Sequence, residues 1–122
     1  MKILINHSNH PSSKWEGTQL HGWDKIVDLP FPDVSPELDT NDEKLRKLII
    51  DNLDKILQIQ RENPEDSIYI MLQGEFSYCY LLFQRLKEYS FKIAIPTTKR
   101  LVSENSDGSR TYRFEFIRWR IF

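Results

Sequence analysis

The chain has a single cysteine, Cys79. It therefore cannot form a disulfide within itself, and a cysteine-based zinc site is not expected. Glycine is scarce at four residues, and no internal repeat or low-complexity stretch interrupts the sequence, which argues against a disordered or fibrous chain. No apolar run approaches the length of a membrane span. The N-terminus shows no basic region followed by a long apolar stretch and a small-residue cleavage site, so a cytoplasmic location without a membrane partner is the expectation. Excess charge of either sign is also lacking, with a formal net charge of −1, and a protein coated by long nucleic acid would be more basic.

What is present is enough apolar and aromatic residue for one core in 122 residues, and too little chain for two. A single domain over 1–122 follows. Charge is unevenly spread. Residues 24–66 carry twelve acids and six bases, whereas residues 92–122 carry seven bases and three acids. The basic C-terminal part either decorates a solvated face or supplies a local anion site.

"KILIN" (2–6) reads as a buried strand, rich in β-branched residues and ended by polar turn formers. Residues 13–22 suit a short helix, with Ser13 as N-cap and Glu16 closing a capping box. "KIVDL" (25–29) is a second strand, stopped by "PFP". Thr40 and Glu43 make another capping signature before the clearest helix, roughly 41–62. There Leu45, Leu48, Ile49, Leu53, Ile56 and Leu57 recur in steps of three and four until Asn63-Pro64. "SIYIML" (67–72) is a third strand, a helix follows over about 75–89, and "FKIAI" (91–95) is a fourth strand closed by Pro96. Asp107-Gly108 then sits between two strand-like runs, a hairpin signal. In the last run Tyr112, Phe114 and Phe116 alternate in one phase, and Ile117, Trp119 and Ile121 in the other. That phase change predicts a bulge or a strand buried on both faces.

Strands alternating with helices predict an α/β fold: a single Rossmann-like three-layer domain with a mainly parallel sheet covered on both faces and a C-terminal antiparallel β-hairpin. Ligands in such sheets bind beyond the carboxyl ends of the strands. Three polar segments fall there: "HSNHPSSK" (7–14), just after Asn6 ends the first strand, "QGEFS" (73–77) and "PTTKR" (96–100). With Asn6 before it, the first holds far more donors and acceptors than a turn requires: Ser8, Asn9 and Ser12 beside the proton carriers His7 and His10 and the cation Lys14. These residues either cap the backbone or contact a ligand. In the second, Gln73, Gly74, Glu75 and Phe76 lead into a helix whose free N–H groups suit phosphate or ribose, unless Glu75 simply caps the helix. In the third, Thr97, Thr98, Lys99 and Arg100 offer hydroxyls and cations for phosphate oxygens, or form a solvated connection. No G-x-G-x-x-G or P-loop occurs, the two loop histidines lack further metal-ligand partners, and no cofactor or metal is expected. Long RNA or DNA is not expected either, since no helix is basic and the aromatics fall in strand phases that core packing explains.

The pattern "NHPSSKW", "IVDLPFP", "QGEFSYCYLLFQRL" and "FEFIRWRIF" resembles small CRISPR-associated proteins related to the Rossmann-like (CARF) sensor domains for cyclic oligoadenylates and to the compact ring nucleases of type III antiviral systems. The resemblance spans nearly the whole chain. It implies a cyclic oligoadenylate ligand, tetra-adenylate favoured, and a homodimer that presents the same loops twice to a two-fold symmetric ring. The final strands and Trp119 would then serve the interface or the core. It also implies a metal-independent phosphodiesterase that ends signalling by 2′-OH attack, leaving a 2′,3′-cyclic phosphate. Under that reading His7 or His10 moves the proton and Ser8, Asn9 and Ser12 position. Lys14, Lys99 or Arg100 stabilises charge, and Gly74 and Glu75 hold sugar-phosphate. The rivals are a non-catalytic sensor or sponge for the same ring, and an enzyme acting on a monomeric nucleotide or nucleotide sugar with Glu75 as its carboxylate.

Overall fold

Apolar residues in unbroken runs, rather than in alternation, let the first and third strands bury both of their faces. In the computed structural model, which describes residues 1–122, β1 (Lys2–Ser8) buries six of its seven residues in a row. It lies between β2 (Lys25–Asp28) and β3 (Ser67–Gln73), both parallel to it. The 20-residue helix α1 (Glu43–Glu62) links β2 to β3, and α2 (Phe76–Glu88) links β3 to the parallel β4 (Lys92–Glu104). A turn at Asn105–Ser109 returns the chain along β5 (Arg110–Ile121), antiparallel to β4. The sheet order is β2-β1-β3-β4-β5, a mixed α/β arrangement, mostly parallel with one antiparallel pair at its end. No helix is long and apolar enough to cross a membrane.

Both α-helices pack on one face of the sheet. Ile3, Ile5, Ile68, Ile70, Leu72 and Ile93 point toward Leu45, Ile49, Leu53 and Ile56 of α1 and Tyr78, Leu82 and Leu86 of α2. The other face, expected to carry a helix as well, is covered by aromatic rings. Leu4, Met71 and Ala94 lie beneath Trp15, with Trp23, Tyr69 and Trp119 around them. Trp23 stands edge-on to Tyr69 and to Trp119, centroids 5.2 and 5.6 Å apart, a geometry that aromatic quadrupoles favour.

This cover explains why residues 13–22 do not form one helix. The segment is two 3-10 turns, Ser12–Lys14 and Gly17–Leu20, separated by extended backbone at Trp15 and Glu16. Trp15 has to turn inward onto the sheet at that point, and Gly17 takes the left-handed conformation (φ 62°) that lets the second turn begin. The capping boxes are likewise local signals that lost to geometry. The α1 N-cap is Asp42, whose carboxylate accepts from Lys44 N–H at 2.8 Å, and not Thr40.

Pro96 does not close β4. Ile93 exchanges both backbone hydrogen bonds with Phe122, so alternation turns the N–H positions of Ala94 and Pro96 away from β5. On that side β3 pairs with β4 only as far as Ala94, and the N–H that proline lacks would have met no partner. β4 therefore runs on to Glu104, and the expected "PTTKR" connection is strand. The bulge inferred from the phase change is present. Thr97 opposes Arg118 but Thr98 opposes Phe116, leaving Ile117 extra, so that Phe116 and Trp119 share a face with centroids 5.2 Å apart.

Candidate functional site

A cleft of about 970 Å³ opens at the carboxyl end of β1 and β3, on the aromatic-covered face. Its floor is Met71, Gln73, Pro96 and Thr98. One wall is Asn9, His10 and Pro11 with Lys14 to Gly17 and Gln19, and the other is the β5 segment Arg113 to Phe116. Of the residues expected at a ligand site, the cleft thus gathers Asn9, His10, Lys14, Gln73 and Thr98. All five are exposed.

The remaining polar residues of the first loop shape it. Asn6 donates from Nδ2 to the His10 carbonyl at 2.8 Å and to Asp28 at 2.9 Å. Ser8 donates from Oγ to Asn6 Oδ1 at 2.6 Å and accepts from the His10 N–H at 3.1 Å. Ser12 donates its hydroxyl to Asp28 at 3.0 Å. Trp15 Nε1–H adds a further bond to the His10 carbonyl at 3.0 Å. Asn6 is 1% exposed, and a buried amide left without partners would cost about 1–3 kcal/mol. Much of the polar excess in "NHSNHPSS" therefore anchors the backbone that presents His10 and Lys14. Asp28, the acceptor at the end of β2, was not singled out from the sequence, although its place at the carboxyl end of a strand was readable.

His7 lies on the opposite face from the cleft. It is fully buried, in phase with Ile3 and Ile5, and its ring stands 5.3 Å from that of Phe31. A carbonyl can only accept, so Nδ1–H donates to Leu29 O at 2.9 Å, and bare Nε2 accepts the Tyr78 hydroxyl at 2.7 Å. Burial pushes the His7 pKa down against the opposing pull of the Leu29 bond, and nearby Lys55 lowers it further. The folded protein holds His7 neutral while the unfolded chain takes up a proton below about pH 6.5, so stability contributed by neutral His7 is lost as pH falls through that region. Thermal unfolding midpoints measured from pH 7.5 to 5.5 should decline, and His7→Gln should flatten that decline. An unchanged slope would assign it wholly to carboxylates.

The α2 entry is also occupied by the protein itself. Glu75 is the N-cap, its carboxylate accepting from Tyr78 N–H at 2.7 Å and Ser77 N–H at 3.1 Å. Those bonds, Tyr78 first, hold its pKa below the usual carboxylate range. The donors proposed for phosphate are thus spent on Glu75. Gly74 lies under the Phe31 ring, and Phe76 is exposed and outside the cleft.

In β4, residues directly opposite one another share a face. Thr98, Arg100 and Val102 face the same way as Phe116, Phe114 and Tyr112, and Arg100 sits 4.4 Å over the Tyr112 ring. Thr97 and Lys99 fall on the reverse face, where the Thr97 hydroxyl donates to Arg118 O at 3.1 Å. The cleft wall also brings in Phe114 and Phe116, whose strand phase alone points to core packing. No three His, Cys, Asp or Glu side chains converge as a metal site.

The family described as uncharacterized protein MJ1673 matches residues 1–120. The chain belongs to that family. No curated protein and no solved structure matches the chain. In this MJ1673-family chain the cleft brings together one histidine, the cations Lys14 and Arg113, the carboxylates Glu16 and Glu115, amide and hydroxyl donors and two phenylalanines.

Proposed function

We propose that the cleft binds a cyclic oligoadenylate and cleaves it without a metal, acting as a ring nuclease that ends type III CRISPR signalling. The observation carrying this reading is that His10 and Lys14 share one cleft with Phe114 and Phe116. Aromatic faces receive bases, a cation receives phosphate, and a histidine moves a proton. A volume near 970 Å³ lies at the upper end of small-molecule sites and suits a ligand of several nucleotides. The sheet order, with its reversal between β1 and β3 above which the cleft opens, supports a Rossmann-like three-layer assignment in which the tryptophan-bearing turns form the third layer.

In the proposed step His10 takes the proton of a ribose 2′-OH as its oxygen attacks the adjacent phosphorus. The P–O5′ bond breaks, the protonated His10 returns that proton to the leaving 5′-oxygen, and a 2′,3′-cyclic phosphate remains. Lys14 stabilises the charge that grows on phosphate, and Asn9, Gln73 and Thr98 orient the ring.

The test is incubation with cyclic tri-, tetra- and hexa-adenylate in EDTA, followed by chromatography and a parallel binding titration. Linear products ending in 2′,3′-cyclic phosphate are expected. His10→Ala should slow cleavage at least about a hundredfold with affinity nearly kept, and Lys14→Ala should weaken binding about tenfold. Binding without products would leave a sponge or sensor, and no binding of any ring would remove the cyclic ligand from the reading.

A further inference from the structure

Between Trp15 and Trp23 the chain loops away from the sheet and back. Trp15 is buried on Leu4, Met71 and Ala94, and Trp23 stands edge-on to the rings of Tyr69 and Trp119. Directly after Trp23, Asp24 donates its N–H to Lys2 O at 2.8 Å and accepts the Lys2 N–H on its carboxylate at 2.7 Å. Both ends of the loop are therefore pinned. Residues 17–22 are not. Their bond from His21 N–H to Thr18 O at 3.1 Å is internal, and no hydrogen bond ties them to the rest of the chain. The Gly17–Leu20 turn buries none of its residues. A segment with so few buried contacts opens at far lower free energy than the whole fold. Gly17 and Gly22, one at each end, hold φ values of 62° and 90°, left-handed backbone in which glycine moves freely and other residues do not.

This segment also lies across the cleft. Gly17 and Gln19 belong to one wall, and the turn rests against β5, whose Arg113 to Phe116 form the other. Of residues 17–22 only Gln19 is half-buried, and the other five are exposed. We infer that residues 17–22 are a flap, hinged at its two glycines, which opens to admit the ligand and on closing brings the Gln19 carboxamide against it. A side-chain amide donates and accepts at once. That suits the edge of adenine, where an amino donor adjoins a ring-nitrogen acceptor. The Gln19 contact rests on the cyclic oligoadenylate reading above, whereas the hinge does not.

The experiment follows chymotrypsin cutting after Leu20, which is 40% exposed, by mass spectrometry on the full chain without nucleotide. A Cβ at Gly17 or Gly22 would meet nothing within 4 Å, so alanine there alters only backbone preference and disfavours the closed flap. The double variant Gly17→Ala/Gly22→Ala should be cut about tenfold faster, with the denaturant midpoint of the whole protein unchanged. A midpoint that falls with no faster cutting would show a turn built rigidly into the fold, and would overturn the inference. Saturating cyclic tetra-adenylate should slow the cut in the native chain about tenfold. Gln19→Ala should weaken binding of that ring about tenfold and leave the cutting of the free protein as it was. A ring that binds without slowing the cut would overturn the flap and leave the cleft reading standing. Native binding by Gln19→Ala would strike out the Gln19 contact. No binding of any ring would remove the cleft reading and that contact together, and the nucleotide-free arm would still decide the hinge.

Discussion

Gly74→Ala should cost about 2–4 kcal/mol of stability, although an alanine in place of glycine ordinarily gains about 0.4–1 kcal/mol by restricting the unfolded chain. The backbone at Gly74 is not in the left-handed region, so conformation does not demand glycine there. Space does. A Cβ at this position would run into the end of the Phe31 ring, 2.6 Å from both Cε1 and Cε2. The ring cannot retreat freely, because it stands between His7 at 5.3 Å and Tyr78 at 5.0 Å. Either the strand end shifts or the half-buried Phe31 leaves its slot, which costs a good part of the about 3–5 kcal/mol that a fully buried phenylalanine is worth. A double-mutant cycle isolates the cause. In a Phe31→Ala background, Gly74→Ala should cost less than about 0.5 kcal/mol, because the obstacle is gone. Equal costs in both backgrounds would mean that Gly74 serves something other than Phe31, and would restore a ligand contact as its reason.

Phe31 and Gly74 also show where sequence reading stops. "QGEF" was legible as the entry to a helix at a strand end, and that is where it lies. What fills the space above Gly74 comes from a loop 43 residues earlier, and no local pattern announces that contact. Glu75 had two readings, and the hydrogen bonds to Ser77 and Tyr78 favour the cap. His7 was more accessible than it looked: it continues the Ile3, Ile5 alternation, and period two alone puts it on the core face. The density of polar residues around it drew it into the loop instead. β4 overran Pro96 because an edge position, invisible in the local sequence, made the missing N–H harmless. The long helix, the turn at Asp107-Gly108 and the bulge near Ile117 were legible because their signals are local and need no partner.

Trp15 joins the fold to the cleft, and its replacement is the strongest single test of that connection. Trp15→Ala should lower the unfolding free energy by about 3–5 kcal/mol, read from the denaturant midpoint at unchanged slope. The side chain is 8% exposed, packs on Leu4, Met71 and Ala94, and stands 5.8 Å from the Trp119 ring. It takes the place of a helix on that face, and Trp23 and Trp119 beside it cannot fill the space above Leu4, Met71 and Ala94 without leaving their own contacts. Its Nε1–H also holds the His10 carbonyl, which Asn6 holds from the other side. Trp15→Phe separates the two roles. It keeps most of the buried ring and drops the donor, so it should cost about 1–2 kcal/mol, mostly the lost volume and one hydrogen bond. If the donor fixes where His10 stands, this milder variant should still weaken binding or slow turnover in the cleft severalfold while the chain remains folded. A Trp15→Phe chain with native behaviour in the cleft would show that Asn6 alone suffices to hold His10, and would confine Trp15 to packing.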